Sequence, residues 1–159
     1  MAKSRCVLEW NLEELAASLH LSPEDTTAYF TDGRRVSFIL ERRLATEVLG
    51  GRLADSEGAG YDLIDPAGGK WEVRSISGKG IYFCPNYMVG SGRRFEEAGF
   101  LRKLRDIRGY LVSDITLFPR IPVWAIEGET VRAWYAAGKL GSSTQISRSR
   151  ILELLAAPA

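Results

Sequence analysis

In the stretch GYDLIDPAGGKWEVRSIS, residues 60–77, an aspartate, a glutamate and an arginine stand where two short apolar runs would face each other across a turn. With a loop at 65–69, Asp62 falls opposite Glu72, and directly paired carboxylates repel unless a positive charge lies between them. Alternation along a strand puts Glu72 and Arg74 on one face and Trp71, Val73 and Ser75 on the other. A hard cation would relieve the repulsion: Mg²⁺ takes one or two carboxylates and completes its shell with water and phosphate oxygens. Without that ion, Asp62 and Glu72 read as two carboxylates on a solvated sheet face, with Lys70 and Lys79 as plain turn residues or as displaced cations.

The other reactive residue types exclude more than they offer. His20 is the single histidine, at a helix boundary in SLHLSPED, so a His-rich zinc site and a His–His phosphoryl relay are ruled out. Cys6 and Cys84 lack C-x-x-C spacing and read as reduced thiols of a cytoplasmic protein. No G-x-x-x-x-G-K-[ST] occurs, and no G-x-G-x-x-G follows a strand, which argues against a nucleotide-binding enzyme. Any catalysis belongs to carboxylates and cations.

Two loops carry residue types that contact nucleic acid. NYMVGSGRR offers Asn86, Tyr87, Ser91, Arg93 and Arg94 ahead of a helix whose N-terminus could take a phosphate. GSSTQISRSR offers Gln145, Arg148 and Arg150, and such donors read phosphates and base edges. The other arginines alternate with acids on helices and read as solvated faces.

The elements that must position these residues follow from periodicity. NLEELAASLH is helical, with Leu12, Leu15, Ala16 and Leu19 on one face. Ser22 and Pro23 open a second helix to about Phe30, with Asp25 in the capping-box place. Thr31 or Asp32 opens a longer helix, which Gly50-Gly51 ends. YDLI, KWEVRSIS and GIYFC read as antiparallel strands separated by DPAGG and GKG. RRFEEAGFLRKLRDIRG returns to helical spacing through Phe95, Ala98, Leu101 and Ile107. YLVSDITLF and IPVWAIEG are strands, ETVRAWYAAGKL and RSRILELL are helices, and GSSTQIS is a loop.

The 159 residues, 45% hydrophobic and 26% charged, read as one α/β domain with a mixed sheet. It divides into an N-terminal helical hairpin (1–32), a core (33–127) and C-terminal helices with a loop (128–159). Lys+Arg 21 against Asp+Glu 20 excludes a uniformly basic coat while allowing a local basic face. No run approaches the roughly 18 apolar residues of a membrane span. The start lacks the apolar region of a signal peptide.

An acid closing one strand, a turn, then acid-x-cation on the next resembles the PD-(D/E)-x-K pattern of restriction-endonuclease-like nucleases. The element order over 33–127 is similar to that fold's core, α-β-β-β-α-β, here with extra N- and C-terminal helices. The resemblance implies a Mg²⁺-dependent, sequence-specific endonuclease of double-stranded DNA, of restriction type and homodimeric. It implies Asp62 and Glu72 as metal ligands, Arg74 in the place of the usual lysine, and Glu41, from FILERRL, as the helix acid that orients water. Tyr61 stands where the motif has proline, and an arginine cannot serve as a base because its pKa exceeds about 12. The competing reading is a DNA-binding regulator without chemistry, because LAASLHLSPEDTTAYF has helix-turn-helix spacing.

Overall fold

The computed structural model describes residues 2–56 and 58–157, with side chains from residue 6 onward, so the outermost residues of the expected terminal segments lie outside it. Strand β1 (Ala2–Glu9) comes first, then α1 (Leu12–Leu19), which Asn11 caps by accepting from the Glu14 amide. Ser22 accepts from the Asp25 amide at 3.0 Å to open α2 (Pro23–Phe30). Asp32 accepts from the Arg34 amide at 2.9 Å to open α3 (Gly33–Arg43). That helix runs on as a wider π-helical turn over Leu44–Leu49 until Gly50, in the left-handed region at φ 66°, ends it. Val36, Leu40 and Leu44, spaced four apart, are fully buried and seat the helix on the sheet.

The remaining elements are β2 (Arg52–Leu53), β3 (Leu63–Ile64), β4 (Lys70–Ile76), β5 (Ile81–Tyr82) and α4 (Glu97–Asp106). They are followed by β6 (Gly109–Asp114), β7 (Arg120–Glu127), α5 (Gly128–Ala136), β8 (Gln145–Ile146) and α6 (Arg148–Ala156). Six strands form one mixed sheet in the order β1-β7-β6-β4-β3-β2. Strand β4 runs parallel to β6, and the other neighbours are antiparallel. On one sheet face, Trp71, Val73, Leu111 and Val123 pack with α3 and Phe30. On the other, Tyr110, Val112 and Ile126 pack with Phe100 and Leu104 of α4, Val131 of α5 and Ile151 of α6.

Two strand expectations need correction. GIYFC is not the third strand of the main sheet. A tight Ser77–Gly80 turn swings β5 away, and it pairs with β8, inside the expected loop GSSTQIS. The outer strand beyond β3 is instead Arg52–Leu53, so between α3 and α4 the main sheet takes β2, β3 and β4, while β5 lies outside it. Strand β1 was not expected at all. It is an edge strand on β7, with Leu8 buried and Val7 46% exposed, and its mixed polar sequence gives little alternation to read.

In α4 the buried seam is Phe100 and Leu104, continued by Ile107, whereas Ala98 is exposed and Phe95 precedes the helix. Gly99 has a steric reason. A Cβ there would come within 2.7 Å of both Met88 Cε and the Tyr87 hydroxyl, so the 3₁₀ turn Asn86–Met88 can lie directly on the helix. Among the described residues, no helix is long and apolar enough to cross a membrane.

Candidate functional site

The β3–β4 hairpin is built as its turn residues demand. Asp65 donates its amide to the Gly69 carbonyl at 2.9 Å, and Gly68 takes φ 84°. The Asp65 carboxylate accepts from the Ala67 and Gly69 amides, the Trp71 indole at 2.9 Å and Arg108 at 2.9 Å. Burial would raise its pKa, but the Trp71 donor, then the two amides, then the Arg108 charge together bring it below the usual value. This locks the register Leu63↔Trp71 and Ile64↔Lys70, which sets Asp62 at the level of Glu72.

The Asp62 amide still donates to the Trp71 carbonyl at 2.9 Å, but past it β3 offers β4 no further backbone partner among the described residues. The Val73 amide donates to Asp62 Oδ2 at 2.7 Å, so the aspartate side chain stands where a strand would continue. Glu72 and Arg74 project together from the face of β4 that α4 covers, and they are 5% and 6% exposed. Both are more deeply buried than a solvated sheet face allows. Arg74 donates to Glu72 Oε1 at 2.8 Å, to the Val73 carbonyl at 2.8 Å and to the Cys84 carbonyl at 3.2 Å, and its guanidinium lies over the Tyr82 ring. Burial works against the Arg74 charge, but the Glu72 carboxylate, then Tyr110 and Asp62, hold its pKa above the usual value.

Glu72 Oε2 is paired with Lys103, which also donates to the Gly60 carbonyl. Lys103 is the member of the cluster that motif spacing does not reveal. It sits on α4 one residue before buried Leu104, where a long side chain can follow the apolar seam and reach the sheet. Lys70 and Lys79, the alternative cations, are exposed; Lys70 lies 4.9 Å from the Tyr61 ring centre, and Lys79 sits in the Ser77–Gly80 turn.

Asp62 is half-buried, and its pKa is raised, first by burial and then by the Glu72 charge. The Val73 amide, Arg74 and Lys103 oppose the rise without cancelling it. The aspartate also lies between two depressions. One, of about 540 Å³, is lined by Tyr61, Asp62, Lys70, Glu72, Arg102 and Lys103. The other, of about 980 Å³, runs along the open edge of β4 and is lined by Glu41, Asp62, Arg74, Ser75 and Gln145 among others. Glu41 and Glu72 thus approach Asp62 from different sides. Among the described residues, no three His, Cys, Asp or Glu form a ready-made metal cluster.

The residues expected on nucleic acid divide in the same way. Asn86 lines both depressions, Tyr87 lines the smaller and is 60% exposed, and Gln145 lines the larger. Ser91 and Arg94 are exposed. Arg93 donates to the Asn86 and Val89 carbonyls and so braces its own loop. Arg148 is paired at 2.6 Å with fully buried Asp114 and ties α6 to β6. The helix after this loop begins at Glu97 with Glu96 as its N-cap, so its opening turn presents acid and does not favour a phosphate as expected. No protein-family model matches the chain, and a search of curated proteins finds no match.

Proposed function

We propose that the chain is a Mg²⁺-dependent, sequence-specific endonuclease of double-stranded DNA with a restriction-endonuclease-like fold, acting as a homodimer in the cytoplasm. The observation that carries this reading is the placement of Asp62 at the level of Glu72, both lining the depression of about 540 Å³, where burial and then the Glu72 charge hold the Asp62 pKa up and a cation would favour its ionised form. Two carboxylates suit Mg²⁺, which fills its other positions with water and phosphate oxygens. When bound, it would lower the pKa of a water and stabilise charge at phosphorus.

The chain's own groups supply the rest. Asp62 and Glu72 hold the cation. Arg74 fixes the Glu72 carboxylate through a fork tied to two backbone carbonyls, which makes it a positioning residue. Glu41 faces the groove from α3 and orients water, while Asn86, Tyr87 and Gln145 border the path of the DNA.

Against the regulator reading, α2 carries Glu24 and Asp25 in its first turn and no basic residue, which suits neither phosphate nor base-edge contact. Its Phe30 stacks on Phe118 at 4.7 Å and packs beside Trp10, as in a helical hairpin closing the core. The test is incubation of the protein with mixed duplex DNA and Mg²⁺, followed by sequencing of the new ends. Recurrent ends lost in Asp62→Ala and Glu72→Ala support the reading, and an absence of new ends contradicts it.

A further inference from the structure

We infer that Lys103 is a resident counter-ion of Glu72 that a divalent cation displaces, so that the ammonium both guards the cation site and is released into the adjoining cavity when the site fills. This rests on the reading of Asp62 and Glu72 as cation ligands. Asp62, Glu72, Arg74 and Lys103 sum to no net charge when all are ionised, and the Glu72 and Arg74 side chains are 6% exposed while that of Lys103 is 11% exposed. Placing two further positive charges there without moving anything would leave buried charge uncompensated.

The two resident cations differ in how they are held. Arg74 is anchored by the Val73 and Cys84 carbonyls and covered by Tyr82. Among the described residues, Lys103 is held by Glu72 and one carbonyl, that of Gly60, on a flexible four-carbon stem. It already borders the cavity of about 540 Å³ that also contains Arg102 and Lys70, so its head group has somewhere to go. In that position it would meet an anionic phosphate rather than the carboxylate it left.

The experiment is calorimetric titration of Mn²⁺ into the full chain without DNA, for wild type, Lys103→Met, Lys103→Gln, Lys70→Met and Asp62→Asn. Removing the competing charge should tighten Mn²⁺ binding about tenfold in both Lys103 variants. Lys70→Met should match wild type, and Asp62→Asn should bind much more weakly. The inference is overturned if the Lys103 variants bind Mn²⁺ no tighter than wild type while Asp62→Asn remains weak; the cation site then stands and Lys103 is a fixed structural partner. If no variant binds Mn²⁺, the cation site itself falls. Labelling of wild-type lysines with an amine-reactive ester, read by mass spectrometry, checks displacement without any substitution. Lys103 should react several-fold faster with Mn²⁺ than without, and an unchanged or slower rate contradicts its release.

Discussion

Burial, then the neighbouring Glu72 charge, favours the neutral form of Asp62, so the carboxylate proposed to hold a cation also costs stability. A group whose folded pKa is raised contributes stability that is fully present below its unfolded value, about pH 4, and is lost as pH rises through the folded value. At neutral pH Asp62 therefore costs stability. Asparagine keeps an oxygen to accept from the Val73 amide, so Asp62→Asn should be more stable than wild type in urea at pH 7, with the gap closing below about pH 4. A variant less stable than wild type at pH 7 would mean that the acid is already compensated. Arg74 has the opposite signature. Arg74→Met strips a buried carboxylate of one partner and leaves the Cys84 carbonyl without that donor, and should cost about 3 kcal/mol in urea denaturation. A cost under about 0.5 kcal/mol would place Arg74 among ordinary surface residues.

At the scale of elements, the hairpin is what makes the acid pair possible, and Asp65 is what makes the hairpin. Asp65→Ala would leave the Trp71 indole and the Ala67 and Gly69 amides without their shared acceptor. It should destabilise the protein by about 2–4 kcal/mol, measured by urea denaturation. Because the Asp65 pKa is lowered, that contribution is present above its unfolded value near pH 4 and is lost as pH falls through the folded one. The difference between Asp65→Ala and wild type should therefore shrink in acid.

This hairpin was legible in sequence because DPAGG encodes a turn and strand alternation places Glu72 with Arg74. The helix caps at Ser22 and Asp32 were legible for the same local reason. What could not be read is non-local. Lys103 reaches Glu72 from 31 residues away, and β5 leaves the main sheet for a partner across the chain at Gln145–Ile146. Arg148, expected on nucleic acid, also pairs with Asp114, whose burial on β6 only the assembled sheet produces.

For the whole molecule, the formal charge of +1 leaves no general attraction to DNA, so the proposed affinity would have to come from local phosphate contacts along the groove. Binding to a cognate duplex should weaken with added salt, and the slope of log K against log salt counts those contacts; a flat slope would favour a small-molecule substrate. On the proposed function, DNA cleavage depends on a cation held by the acid pair of the β3–β4 hairpin. Its most direct measurement is sequencing of the ends produced from a random duplex library with Mg²⁺, in parallel with Mg²⁺ replaced by chelator and with Asp62→Asn. Wild type with Mg²⁺ should give ends that recur at one sequence and are absent from both controls. Ends at background level in all three reactions, or cleavage that survives in Asp62→Asn, would contradict it.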